Sequence, residues 1–220
     1  MPDAHQCTVL VLTESRVPPL FWYSYDVSRL GIVRIKGDRE VNGYIVSCAA
    51  TKEAIVIDPI EPVDKIVSEI GDLKVRWILA SHGHPGHLAG KDEIQARLGG
   101  TTAMHVTDAK TFLRSADRYL DPEEHLQFGE FELRVLHTPG HTPGSLCFLV
   151  GNHLFTGDTL LAGGVGKQSP GADLRRQLFS ILNAIAPLPP ATAIYPGHGA
   201  VTSLERELRD NPAFRGLPPR

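Results

Sequence analysis

Cysteine is scarce. The chain has three in 220 residues, Cys7, Cys48 and Cys147, far apart and without the close spacing of a zinc-binding pair. Three thiols cannot all pair, so a disulfide framework is not expected; buried thiols in a reducing compartment are, with the cytoplasm as the expected location. No apolar run approaches the roughly 20 residues of a membrane span. The apolar stretch Val9-Leu10-Val11-Leu12 has no basic cluster before it and no small-residue cleavage site after it, so no signal peptide is expected. Basic residues are not in excess either. The 22 Lys and Arg against 25 Asp and Glu leave a formal charge of −3, which argues against nucleic acid as a partner. Short-period repeats and low-complexity linkers are absent as well.

What is present is an ordinary globular composition, 42% hydrophobic and 21% charged, in a length that buries one full core. Residues 1–30 are irregular and carry the aromatic cluster Phe21-Trp22-Tyr23, expected to pack as an extension on the domain formed by residues 31–220. From Gly31 the texture is regular. Ile32 to Ile35, Gly43 to Val46 and Ala54 to Ile57 are short β-rich runs divided by turn residues. Pro62 opens a helix with an apolar stripe at Val63, Ile66, Val67 and Ile70, closed by Gly71. Val75 to Ala80 is a continuous apolar strand, buried on both faces. Leu88, Ile94 and Leu98 mark one helix, Thr101 to Val106 a strand and Thr107 to Leu113 a short helix. Phe131 to Val135 and Leu146 to Val150 alternate at period 2, and Gly151-Asn152 turns a hairpin into His153-Leu154-Phe155. Leu174 to Ile185 reads as a helix broken by Pro187 to Pro190; a strand at Thr192 to Tyr195 and a charged helix around Glu205 to Arg209 follow. The expected architecture is α/β (α+β), a mixed sheet sandwich covered by helices.

Chemistry-bearing residues gather just past the strand ends. Asp58 follows Ile57. Ser-His82-Gly-His84-Pro-Gly86-His87 follows Trp77 to Ala80. Thr-Pro-Gly-His141 follows Leu133 to Leu136, Asp158 follows Phe155-Thr-Gly, and Tyr-Pro-Gly-His198 follows Ala193-Ile194. In His82-Gly-His84 the two-residue spacing of an extended segment faces both imidazoles one way, and His87 enters from the following helix. Neutral imidazoles converging with a carboxylate suit Zn²⁺, Fe²⁺ or Mn²⁺. His5, His125 and His153 read as surface or packing residues, and His105 and His137 as structural ones.

The string His82-X-His84-X-X-His87, followed in order by His141, Asp158 and His198, resembles the metallo-β-lactamase superfamily over about Asn42 to Asn211. The resemblance implies a four-layer αββα sandwich with the metal site at one edge. It implies a first metal held by His82, His84 and His141, a second by His87 and His198, Asp158 bridging, and Asp58 supporting the histidine loop. Asp58, His82, His84, His141 and Asp158 are then the catalytic candidates. The family motif carries an aspartate where this chain has Gly86. With that anionic donor gone, one tightly held divalent ion, Zn or Fe, is expected, with the second position weak or empty.

Within the superfamily the glyoxalase II-like (hydroxyacylglutathione hydrolase-like) branch is most similar, through Thr156-Gly-Asp158-Thr-Leu160 and the loop Ala162 to Lys167. Lys167 is the candidate for binding a substrate carboxylate. The implied activity is hydrolysis of an ester, thioester or related acyl bond in a small-molecule substrate by metal-activated water. Two alternatives stand beside it: a mononuclear iron persulfide dioxygenase using His82, His141 and Asp158, and a degenerate member that only binds a ligand. The loop after Asp158 lacks the arginine that resemblance to the dioxygenases implies. No membrane partner is expected, and a homodimer is compatible with the sequence.

Overall fold

The computed structural model describes residues 29–167 and 172–215. The expectations for residues 1–28, the aromatic cluster and Cys7 among them, lie outside this range. Two six-stranded sheets make the centre. The first is ordered β1 (Leu30–Lys36), β2 (Asn42–Cys48), β3 (Glu53–Ile57), β4 (Lys74–Leu79), β5 (Thr101–Met104), β6 (Arg118–Tyr119). Its first three strands are antiparallel and the rest parallel. The second holds β7 (His125–Phe128), β8 (Phe131–His137), β9 (Leu146–Val150), β10 (His153–Gly157), β11 (Ala193–Pro196) and β12 (Thr202–Ser203), ordered β12-β11-β10-β9-β8-β7. All its neighbours are antiparallel except β10 and β11.

The period-2 patterns explain the layering. Val46, Ile55, Ile57 and Leu79 of the first sheet meet Leu133, Val135, Phe148 and Phe155 of the second in the interior of the sandwich. The alternate residues of the same strands, Ile45, Ala54, Val56 and Ile78, face outward, beneath α1 (Val63–Ile70) and α3 (Lys91–Leu98). On the other side Leu136, Cys147, Leu154 and Ile194 lie beneath the Ile181–Ile185 π-turn that continues α5 (Leu174–Ser180), and beneath α6 (Leu204–Asp210). Each sheet is therefore largely apolar on both faces, which is why β3 reads as an unbroken hydrophobic run from Ala54 to Ile57. β4 differs from the expectation of a strand apolar and buried throughout: Arg76 interrupts it, exposed and paired with Glu53 at 3.6 Å. Each fully buried Phe or Ile contributes on the order of 2 kcal/mol. The result is the four-layer αββα sandwich. Cys48 and Cys147 are both buried free thiols within it.

Some elements differ from the sequence reading. The helix from Leu88 to Leu98 is two pieces, α2 (Pro85–Leu88) and α3, parted at Gly90. A side chain at Gly90 would strike the Ile60 carbonyl at 2.7 Å and Val63 at 2.7 Å, so the backbone turns here while pressed against the start of α1. β5 stops at Met104, because His105 Nδ1 accepts the Thr107 N–H at 3.2 Å and caps α4 (Val106–Thr111). The two-residue strands β6 and β12 are too short to set up a periodicity. No helix among the described residues is long and apolar enough to cross a membrane.

Candidate metal centre

The topology brings the strand ends together. β3, β4 and β5 run parallel, so Asp58, His82 and the α4 helix emerge at one edge of the first sheet. In the second sheet β9 runs against both β8 and β10, and β11 runs with β10; the three strands before His141, Asp158 and His198 therefore end at one edge. Cross-sheet bonds close the two edges on each other. Leu146 N–H donates to the Ser81 carbonyl at 2.7 Å, Asn42 N–H to Gly197 at 2.7 Å, and the Tyr44 hydroxyl to Pro196 at 2.6 Å.

At this junction His82, His84 and His141 place one ligand atom each within 4.8 Å of one another, and His82, His87 and Asp158 form a second such group. His198 Nε2 stands 3.5 Å from Asp158 Oδ2, as does His141 Nε2. All six candidate ligands thus converge. His105 and His137 do not join them: they stack on each other at 4.3 Å. His125 pairs with Glu132 and His153 with Tyr195, in keeping with structural roles.

Hydrogen bonding fixes which nitrogen of the His82 and His87 rings is turned to the cluster. Asp58 Oδ1 accepts the Ser81 N–H at 2.7 Å, and Oδ2 accepts the Ser81 hydroxyl at 2.8 Å. Ser81 has one hydroxyl proton and gives it to the carboxylate. The 3.0 Å contact from Ser81 Oγ to His82 Nδ1 is then a donation from His82 Nδ1–H, which leaves Nε2 of the neutral ring as a lone pair. That Nε2 is buried without a partner, as are Asp158 Oδ1 and His141 Nδ1. His87 Nδ1–H donates to Asp58 Oδ2 at 2.9 Å and turns Nε2 toward Asp158 Oδ1, 3.7 Å away. Buried acceptors facing one another are costly unless a cation or proton lies between them. The donor set fits a divalent transition metal.

The electrostatics agree. Burial, reinforced by the neighbouring imidazoles, holds His82 well below the ordinary histidine range. Burial also drives His141 down to about 4, against the opposing pull of Asp158. His84, half-buried, is lowered by the same cause. His87 goes the other way: burial works against its charge, but Asp58 and Asp158 together raise it. Rings kept neutral at pH 7 are ligands ready for a metal, whereas the two carboxylates beside His87 favour its charged form.

Gly86 lies in α2 beside His87. Its backbone is not left-handed, and a Cβ built on it would meet only Val41 Cγ2, at 3.3 Å. Packing does not demand a glycine here. Two other glycines are demanded. Gly140, at φ 145, has its Cα against the α5 backbone, where a Cβ would lie 2.2 Å from Gln177. At Gly197 a Cβ would sit 2.5 Å from Asp158 Oδ1 and 2.7 Å from His87. Lys167 is exposed, directly after a Gly166 whose N–H donates to the Asp158 carbonyl at 2.9 Å.

Sequence reasoning passed over several residues that build this site. Ser81 links Asp58 to His82, a role that a serine before a histidine does not signal. Gln177 donates to the Asp158 and Thr159 carbonyls at 3.1 and 3.0 Å. Asp108 has partners 25 to 36 residues away, and no local spacing signals it.

Sandwich and site define a metallo-hydrolase-like fold, and the chain belongs to the metallo-beta-lactamase superfamily, whose family model matches residues 37–198. It is 31% identical to a probable polyketide biosynthesis zinc-dependent hydrolase, BaeB, of Bacillus velezensis, over 70% of this chain and 71% of that one. It is 34% identical to a hydroxyacylglutathione hydrolase of Anaeromyxobacter dehalogenans over 71% of this chain, spanning only 61% of that protein's length. It is 30% identical to the human mitochondrial persulfide dioxygenase ETHE1, covering 77% of this chain and 69% of that one. Among solved structures, the BLEG-1 B3 metallo-beta-lactamase superposes with a TM-score of 0.78 at 28% identity, covering 84% of this chain and all of that one.

Proposed function

We propose that the protein is a metal-dependent hydrolase of ester or thioester bonds in a small-molecule acyl substrate. One divalent ion, Zn or Fe, is held by His82, His84, His141 and Asp158. His87 and His198 form a second position that is weak or empty for want of a carboxylate at Gly86. The observation that carries this reading is the bare, buried Nε2 of His82, left so by the Asp58–Ser81 chain and aimed among the other donors.

Bound there, the ion supplies a Lewis acid that polarises a carbonyl and brings the pKa of water to about 7. The chain's own residues do the rest. Asp58 orients His82 through Ser81 and His87 directly. Asp158, with an unpartnered Oδ1, offers both a ligand oxygen and an acceptor for a proton leaving the nucleophile. His84, half-buried at the mouth, marks the open side by which substrate enters. Lys167, exposed beside the Asp158 loop, is placed to meet a substrate carboxylate. The resemblance to hydroxyacylglutathione hydrolase supports the thioester.

A second reading, an iron persulfide dioxygenase, is favoured by one observation. His82, His141 and Asp158 give two histidines and a carboxylate without needing a second metal position, and ETHE1 is among the relatives.

Metal analysis of protein purified without added salts, followed by a panel of thioesters, lactones and a glutathione persulfide, tests both. Anaerobic thioester cleavage supports the hydrolase. Bound iron with oxygen uptake on the persulfide supports the dioxygenase instead. No turnover on any of them, with metal bound, leaves a ligand-binding role. His82→Ala abolishes turnover under either enzymatic reading.

A further inference from the structure

Asp58 braces one side of the site; the other side has a brace of its own. Asp108 in α4 is fully buried. Its Oδ2 accepts the Gly83 N–H at 2.7 Å and the Thr142 hydroxyl at 2.7 Å, and its Oδ1 accepts the Gly144 N–H at 2.6 Å. Gly83 separates His82 from His84, and Thr142 follows His141. One carboxylate therefore ties together the two loops that carry three of the candidate ligands. α4 also underlies the first loop sterically. A Cβ at Gly83 would meet the Phe112 ring at 2.2 Å, and that ring lies 5.1 Å from the His84 ring.

We propose that Asp108 is a positioning residue of the metal centre, fixing the separation of the His82–His84 loop from the His141 loop. The inference rests on the metal reading given above. Three donors converge on Asp108, which a carboxylate satisfies with two oxygens. A carboxamide cannot, because its NH₂ would face either the Gly144 N–H or the Gly83 and Thr142 donors. Short bonds of this kind, with a charged acceptor, hold geometry more tightly than neutral ones. Residues behind the ligands commonly change metal affinity by about 10–100-fold when lost.

The test uses the full chain loaded with Co²⁺, whose visible absorption reports ligand geometry, and measures affinity against a chromophoric chelator. Asp108→Asn is expected to lose about 10–100-fold in Co²⁺ affinity and to shift the visible bands. Thr142→Val, which removes one of the three donors, is expected to lose about fivefold and shift the bands in the same direction. Should Asp108→Asn fail to fold, Thr142→Val decides alone. Wild-type affinity and an unshifted spectrum in the folded variant, with only its thermal midpoint lowered, would make Asp108 a structural residue and overturn the inference. A wild-type chain that binds no Co²⁺ would overturn the metal reading and this inference together, whereas binding by the wild type with no effect of the variants overturns the inference alone.

Discussion

Gly86 and Val41 approach closely: a Cβ built on Gly86 would lie 3.3 Å from Val41 Cγ2, a tight contact with a movable side-chain methyl. A left-handed backbone is not what keeps the family's aspartate out of this position. Gly86→Asp is therefore expected to fold, with stability changed by no more than about 1 kcal/mol. Val41 yields by a few tenths of an ångström. The carboxylate arrives beside His87, and metal content should rise from about one ion per chain toward two. Elemental analysis after dialysis checks this; a wild-type chain already holding two tight ions would contradict it.

Asp58 accepts from the Ser81 amide, the Ser81 hydroxyl and His87, and it does so with a left-handed backbone, φ 53. Asn tolerates that backbone and Ala does not. Asp58→Asn is expected to remain folded but to misdirect the Ser81 and His82 protons, lowering metal affinity by about 10–100-fold. Asp58→Ala leaves buried donors unpaired at about 1–3 kcal/mol each, and should unfold at markedly lower urea. Chelator competition and urea titration separate the two effects.

The metal-free chain should lose stability on acidification. His141 has its pKa lowered from 6.5 to about 4, chiefly by burial. Between those values the unfolded state binds the proton and the folded state does not, so stability is full above 6.5 and falls as pH drops toward 4. That interval corresponds to on the order of 3 kcal/mol. His82 contributes in the same direction. His87, raised, acts oppositely: its contribution is present below 6.5 and is lost as pH climbs through its elevated folded value. Urea midpoints at pH 7, 5.5 and 4.5 should fall for wild type and fall less steeply in His141→Gln, where the His82 contribution remains. A slope unchanged by the substitution would disprove the assignment to His141.

Gly197→Ala places a methyl 2.5 Å from Asp158 Oδ1 and 2.7 Å from His87 Cε1. Something must move, and the movable atoms are the candidate ligands. Metal affinity should drop by more than tenfold, out of proportion to a stability loss of about 1–3 kcal/mol. Isothermal titration with Zn²⁺ beside thermal unfolding of the metal-free protein measures both. Equal losses would mean that the site is not where the strain goes.

Much of the fold was legible because burial on the sheet faces leaves local marks: the run at β3, the alternation in β8 and β9, and the stripe of α1. The break at Gly90 was not legible, since what forces it is Ile60, thirty residues earlier in the chain. The candidate ligands announced themselves by residue type and by position after strand ends. Ser81 and Asp108 did not, because a serine or an aspartate in a turn or helix is ordinary until its partners are known.

By itself, the order of amino acids determined the two-sheet class, the identity of the histidines and aspartates, and the missing carboxylate at residue 86. Local periodicity and side-chain chemistry suffice for those. Only the tertiary structure decided that the strand ends meet at one edge, which imidazole nitrogen is left bare, and that Asp58 and Asp108 brace opposite sides of the cluster. Those depend on hydrogen bonds between residues far apart in the chain, and strand direction and sheet pairing bring such residues together.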